Sequence, residues 1–285
     1  MAVARKVWLI TGTSSGLGQA IARAALAKGD TVVATARDPR KISDLESAGA
    51  ITEQLDVTAS DESLSETVNR IVSKTGTIDI LVNNAGYILA GGVEEVSREE
   101  AQAEFNTNVF GQLNVLRAVL PVMRKQKSGV VANLGSIGGW RGTPAAGLYC
   151  ASKACAAILS ESLRAEVAPL GIQVTVIEPG YFRTNFLAPG HKVWAKNKIE
   201  DIAPVVGATN DAFEAYDRKQ PGDPEKAAQL IVEALTGTGR AQGRPLPARF
   251  SVGSDAYQIV SGILDSQKKE LEEWKDLSTT TDHTD

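Results

Sequence analysis

The run Val7-Trp8-Leu9-Ile10-Thr11-Gly12-Thr13-Ser14-Ser15-Gly16-Leu17-Gly18 decides the fold. Its four apolar residues read as a short buried strand that ends on Thr11-Gly12. A helical pattern then occupies residues 16 to 28, through Leu17, Ile21, Ala24, Ala25 and Lys28. A strand, a glycine turn and a helix N-terminus make an anion site, because backbone N–H groups and the positive end of the helix dipole face a phosphate. The missing Cβ atoms of Gly12, Gly16 and Gly18 let a dinucleotide come close. The spacing Gly-x-x-x-Gly-x-Gly is wider than the commoner Gly-x-Gly-x-x-Gly. Read alone, the loop is either a phosphate cradle or a structural turn, and its place after the first strand favours the cradle.

Working outward, strands and helices alternate. Strands are expected at Thr31 to Ala36, in a run ending at Leu55-Asp56, and at Ile78 to Val82, Val130 to Leu134, Ile172 to Ile177 and near 248 to 252. Helices are expected near 41 to 48, over 61 to 74, from the capping box Ser97-Arg98-Glu99-Glu100 towards 125, over 149 to 168, after Asp223-Pro224-Glu225, and from Ser254-Asp255. This rhythm implies βαβ units and a parallel sheet covered on both faces. No linker or repeat divides it, so residues 1 to 285 read as one domain. Two stretches stand apart. Residues 181 to 222 form a long connection without strand signal, as lids and binding loops do. Residues 276 to 285 are polar and Thr-rich, and are expected to form a flexible tail.

Composition excludes more than it assigns. The net charge is −4 over 285 residues and no basic face stands out, which speaks against nucleic acid and anionic membranes. No apolar run reaches membrane-spanning length, and the first residues lack the apolar core of a signal peptide. A cytoplasmic protein is expected. Two cysteines, Cys150 and Cys155, are too few for a disulfide framework or a four-ligand zinc site, and read as reduced packing thiols. With His191 and His283 the only histidines, a His-ligated metal is not expected.

The end of the second strand bears on cofactor choice. An acidic residue about 20 positions beyond the glycines would hold the ribose 2′-hydroxyl of NAD. Here Ala36 is followed by Arg37, whose guanidinium can pair with the 2′-phosphate of NADP. A merely solvated Arg37 is the other reading, and Asp38 beside it complicates the choice.

Tyr149-Cys150-Ala151-Ser152-Lys153 sets a phenol and an ammonium at i and i+4 on one helix face. The ammonium favours the phenolate, lowering a reference pKa of about 10, and such a tyrosine can exchange a proton with a carbonyl or alcohol oxygen. Tyr-x-x-x-Lys is common on helices, so its company matters. Ser136 follows the strand at Val130 to Leu134, and Asn83-Asn84-Ala85-Gly86 follows the fourth strand. Both are expected at the carboxyl edge of the sheet, where ligands bind in doubly wound folds. Asn83 to Gly86 could also be a bracing turn, Asn108 could satisfy a backbone group, and Trp140 could be a substrate wall or surface packing.

Together these features resemble the short-chain dehydrogenase/reductase family, through Thr11-Gly12-x3-Gly16-x-Gly18, Asp56-Val57, Asn83-Asn84-Ala85-Gly86, Asn108, Ser136, Tyr149-x3-Lys153 and Pro179-Gly180, in the family's order over about residues 5 to 255. The resemblance implies an α/β, Rossmann-like, doubly wound parallel sheet of about seven strands with helices on both faces. It also implies roles. Tyr149 is the acid/base and Ser136 holds the substrate oxygen. Lys153 lowers the Tyr149 pKa and grips the nicotinamide ribose, and Asn108 fixes a water. Ser14, Ser15, Gly16, Leu17 and Gly18 meet the cofactor beside Gly12, Asp56 and Val57 contact adenine, and Asn83, Ala85 and Gly86 line the channel. Pro179, Gly180 and Thr184 meet the nicotinamide and pyrophosphate. Arg37 matches the NADP-preferring members, although Thr13-Ser14-Ser15 lacks the second basic residue many of them carry. Homodimers or homotetramers through the helices at 100 to 125 and 149 to 168 are implied as well.

The segment after Gly180 concentrates Phe182, Phe186, Leu187, Val193, Trp194, Ile199, Ile202, Val205, Val206, Phe213 and Tyr216. An apolar lid over a bulky ketone or secondary alcohol is expected, with Lys192, Lys196 and Lys198 facing water. Packing onto the domain or onto a partner is the other reading. The function expected is NADPH-dependent carbonyl reduction. Alternatives are a hydroxysteroid-type or other secondary-alcohol dehydrogenase working oxidatively, an NAD-linked enzyme, and a catalytically silent NADP sensor.

Overall fold

The computed structural model describes residues 5–187 and 192–283. Strands β1 (Val7–Ile10), β2 (Thr31–Ala36), β3 (Ile51–Gln54), β4 (Ile80–Asn83), β6 (Gly129–Leu134), β7 (Ile172–Pro179) and β9 (Arg249–Val252) form one sheet in the order β3-β2-β1-β4-β6-β7-β9; β5 (Leu89–Ala90) and β8 (Val193–Trp194) pair separately. Every pair in the seven-stranded sheet is parallel. Strand order reverses between β1 and β4, and a crevice opens at such a switch point.

Period-two burial explains the layering. Trp8, Ile10, Val32, Ala34, Ile80 and Val82 pack on one face with α1 (Gly16–Ala27) and α8 (Pro224–Thr236). Leu9, Val33, Leu81 and Val131 pack on the other with α3 (Asp61–Thr75) and α5 (Gly111–Gln126). Alternating sides, both apolar, is what a sheet buried on two faces requires. The capping box at Ser97 is present, with Glu100 N–H donating to Ser97 Oγ and Ser97 N–H to Glu100 Oε2. Helix α4 (Arg98–Phe105) passes into α5 through a π-helical turn at Asn106–Phe110, and such turns are frequent at functional sites.

Two expectations change. Residues 181 to 222 are not structureless: they hold β8 and helix α7 (Ala203–Tyr216). Alternation over two residues is too short to leave a strand signal in sequence, and α7 starts on Ala203-Pro204 with proline in its first turn. Residues 188–191 of this segment lie outside the described residues. The expected tail is helical at its start. Beyond α9 (Ser254–Glu273) come α10 (Lys275–Ser278) and a 3-10 turn at Thr279–Thr281, where the Thr280 and Thr281 hydroxyls donate to carbonyls three residues back. Residues 284–285 lie outside the described residues.

Candidate active site

At the switch point the glycine turn is clamped to the loop after β4. The Thr11 hydroxyl accepts the backbone N–H groups of Asn84 and Ala85, both at 3.0 Å, and the Asn84 amide donates to Thr11 O and Gly12 O, both at 2.9 Å. Gly12 has φ +69°, and a Cβ there would lie 2.9 Å from Ala85 Cα. At Gly18 a Cβ would lie 2.3 Å from Asn84 Nδ2. Glycine is therefore required twice, once by conformation and once by contact.

A cleft of about 830 Å³ runs from this turn along the sheet edge, within the size range of ligand sites. One end is walled by Gly12, Ser14, Ser15, Gly16, Leu17, Arg37, Asp56 and Val57, and its middle by Ala85, Gly86, Pro179, Gly180 and Thr184. The far end holds Ser136, Tyr149 and Lys153. Three expected site residues stand off the wall. Gly18 is buried and serves the close approach of α1 to Asn84. Asn83, expected to line the channel, turns inward from the end of β4. Its amide donates to Asn133 Oδ1 at 2.9 Å, and Asn133 donates to Ser160. Its neighbour Asn84 lines the cleft instead, because successive strand side chains alternate sides. Asn108 is fully buried. Its side chain accepts the Tyr87 N–H and donates to Tyr87 O and Ser152 Oγ, so it braces the backbone behind Gly86.

Sequence reasoning missed Lys41, which joins Arg37 on the cleft wall from the 3-10 turn Pro39–Ile42. Only the fold brings it there. Asp38 is taken by Arg40, which bonds it through Nε and Nη2, both at 2.9 Å, and through its backbone N–H. That pairing also holds the Asp38 carboxyl below its usual range. The two cations at this end thus meet no free carboxylate from the adjoining turn.

At the far end, helix α6 (Gly147–Val167) carries Tyr149 and Lys153. Lys153 Nζ donates to Leu134 O at 2.8 Å and lies 5.7 Å from the Tyr149 ring centroid. Ser136 Oγ accepts the Gly138 N–H at 3.0 Å, and Ser136 acts to favour Tyr149 ionisation. The expected lowering of the Tyr149 pKa is reversed. Burial holds the phenol above its usual range, outweighing Ser136. Burial also drives Lys153 down to about 8, against the opposing pull of Glu104. Tyr149 is a neutral hydroxyl at neutral pH.

The segment after β7 covers this end. Phe186 sets its ring 5.7 Å from that of Tyr149, and Tyr181, Phe182, Leu187, Val193 and Phe213 also face the cleft. Three carboxylates fasten the segment's inner run. Glu95 accepts Ile199 N–H at 3.1 Å and Gly92 N–H at 2.8 Å, Glu100 accepts Lys196 N–H at 3.1 Å, and Glu104 accepts the N–H of Leu89, whose strand pairs with β8. Lys192 does not face water: it is buried, with Nζ 4.7 Å from the Trp194 ring centroid. Cation–π contact and the lysine's apolar stem stabilise that placement. Trp194 stands off the cleft. Trp140 is packing rather than substrate wall. Its Nε1–H donates to Glu178 at 2.9 Å, and Arg249 stacks 3.6 Å over its ring.

Residues 6–192 match the family model described as short chain dehydrogenase. The chain is 34% identical over 277 residues, 96% of its length and 98% of the relative's, to oxidoreductase BOA17 of Botryotinia fuckeliana. Among solved structures it is similar to a short-chain dehydrogenase from Streptomyces avermitilis, with TM-score 0.87 and 41% identity over 97% of this chain and 100% of that one. It is also similar to ElxO with NADP bound, with TM-score 0.71 and 26% identity over 90% of this chain and 100% of that one.

Proposed function

The chain belongs to the short-chain dehydrogenase family, and from that premise we propose that it is an NADPH-dependent carbonyl reductase acting on a bulky apolar ketone. One observation carries the reading: a single cleft joins a glycine turn flanked by Arg37 and Lys41 to a neutral tyrosine under an apolar cover. The residues present fit a dinucleotide. Gly16, with φ +63°, leaves the cleft wall open, since a Cβ there would meet only Thr184 at 3.8 Å, and the α1 N-terminus and Ser14 and Ser15 offer donors to a pyrophosphate. Arg37 and Lys41 suit a 2′-phosphate, as ElxO with NADP bound suits the same preference.

Bound NADPH supplies a hydride for the carbonyl carbon. Tyr149 donates its proton to the carbonyl oxygen, and Ser136 shares that oxygen's charge as it develops. A phenol kept protonated by burial favours this direction, since it enters the reaction as an acid. Lys153 adds positive charge beside the departing proton. The Asn108 side chain holds Tyr87 and Ser152 in place behind the pair. Phe186, Leu187 and Phe213 exclude water and bind the substrate's apolar body. The 181–222 segment is thus a substrate lid within one catalytic domain, and the enzyme is cytoplasmic. Phe110, at the end of the π-helical turn before α5, and Ile158 on α6, about half exposed at 51% and 58%, suit pairing with further copies of the chain through these helices. Among the described residues no helix is long and apolar enough to cross a membrane.

The test is a panel of ketones and alcohols of graded size, with NADPH, NADP, NADH and NAD, on wild type, Tyr149→Phe and Arg37→Asp. The expected result is reduction of the larger ketones with NADPH, loss of turnover with retained NADPH binding in Tyr149→Phe, and a shift towards NADH in Arg37→Asp. Undiminished turnover in Tyr149→Phe refutes the mechanism, and unchanged cofactor choice in Arg37→Asp refutes the NADP assignment.

A further inference from the structure

The proton chemistry read above makes no use of Glu104, although Glu104 is fully buried in α4 one helical turn before Asn108. Residues four apart share a helix face, so both point towards α6 and the 84–90 stretch. Glu104 Oε1 accepts the Leu89 N–H at 3.1 Å, while Oε2 has no hydrogen-bond partner among the described residues. An ionised carboxylate half-satisfied in a dry interior is costly unless a cation compensates. The groups around it are few. Tyr87 comes from the loop before β5, Tyr149, Cys150 and Lys153 come from α6, and Glu100 lies one turn earlier on α4, where it is occupied by Ser97 and Lys196. Lys153 is the cation acting on Glu104, and Glu104 is the charged side chain acting on Lys153.

Lys153 needs that help. It is buried with one acceptor, Leu134 O. A Cβ on Gly86 would meet Asn108 Oδ1 at 3.0 Å and Lys153 Nζ at 3.6 Å, so the lysine head and the Asn108 amide lie side by side across that glycine. We propose that Glu104 is a positioning residue for the reaction, its carboxylate keeping Lys153 in the ammonium form beside Tyr149. The proposal rests on the reading of Tyr149 and Lys153 given above and extends it by one residue.

Burial drives Lys153 down to about 8 and Glu104 up to about 7, and each opposes the other's loss of charge. Each charge therefore moves the other's titration in the direction opposite to burial. Removing the carboxylate leaves burial unopposed on Lys153, so the ammonium is lost at lower pH. The amide oxygen of Glu104→Gln still accepts the Leu89 N–H, which separates charge from bracing.

The experiment is the pH profile of kcat/KM for ketone reduction in wild type, Glu104→Gln, Glu104→Asp and Tyr149→Phe. The alkaline limb is expected to move about one pH unit to the acid side in Glu104→Gln, and to return towards wild type in Glu104→Asp, which keeps the charge. An unmoved limb in Glu104→Gln overturns the proposal, as does an equal loss at every pH. Tyr149→Phe that keeps turnover sinks the underlying reading instead. Should Glu104→Gln not fold, carboxyl 13C NMR reads the same coupling. Glu104 is expected to titrate at higher pH in Lys153→Met than in wild type, and identical titration overturns the proposal.

Discussion

Replacing Thr11 by valine tests the clamp that shapes the cofactor end of the cleft. Valine keeps the branched shape and removes one oxygen. In the native chain that oxygen accepts Asn84 N–H and Ala85 N–H, both at 3.0 Å, at a position 1% exposed. Asn84 N–H retains a second acceptor, Val82 O at 3.1 Å, so it is weakened rather than orphaned. Among the described residues Ala85 N–H has no second acceptor. Ala85 is only partly buried on the cleft wall, so losing this acceptor costs about 1 kcal/mol, and the shared bond adds about 1, for a loss of about 2 kcal/mol. For a chain of this size that is a fall in Tm of about 4–8 °C. Thr11→Ser keeps the oxygen and gives up a methyl group, for about 1 kcal/mol. The assay is urea unfolding of the three proteins, followed by NADPH titration, with weaker binding expected in Thr11→Val because the Asn84 amide loses its fixed geometry against Thr11 O and Gly12 O. Equal destabilisation by valine and serine would refute the reasoning, since packing would then outweigh the two N–H bonds.

Two further outcomes follow from buried carboxylates. Glu178, fully buried, binds Trp140 Nε1–H and the Arg249 guanidinium. Glu178→Gln leaves that cation only its longer pair with the half-exposed Glu161, at 3.7 Å, and is expected to cost about 2–3 kcal/mol in urea unfolding; a loss within 0.5 kcal/mol, about that of a surface change, contradicts it. Glu95 is held below the usual carboxylate range first by the Gly92 N–H, then by Ile199 N–H and Lys198. The sign is that of a depressed acid: its contribution is present above the ordinary glutamate value of about 4.3 and fades as pH falls below it. Protection of the Ile199 amide relative to its intrinsic exchange rate is expected to fall below that pH in wild type and at neutral pH in Glu95→Gln. Protection unaffected by either change removes Glu95 from the fastening of the 181–222 segment.

The sheet was legible because its signals are local. Each strand of β1, β2 and β6 carries its own apolar run, each helix its own period and cap, and Thr11 to Gly18 states its turn in consecutive residues. Tyr149 and Lys153 were legible for the same reason, being four apart on one helix. The short β8 and the helix α7 were not, since two alternating residues carry no period and α7 buries little of its surface. Asn83 and Asn84 are adjacent and chemically identical, yet one enters the Asn133–Ser160 network and the other clamps the glycine turn. Strand parity at a precise end point makes that choice, and sequence patterns fix ends poorly.

By itself the sequence determined the parallel α/β architecture, the glycine turn, the gathering of Ser136, Tyr149 and Lys153 at the sheet edge, and the cation at Arg37. Tertiary structure decided what those groups feel. It brought Lys41 beside Arg37 and closed Asp38 against Arg40. It buried Lys192 under Trp194 and set Glu104 in the field of Lys153. Above all it turned the expected lowering of the Tyr149 pKa into a rise. Residue identity fixes which proton is available. The free energy of holding it depends on the water excluded and the charges gathered from other parts of the chain, and only folding assembles those.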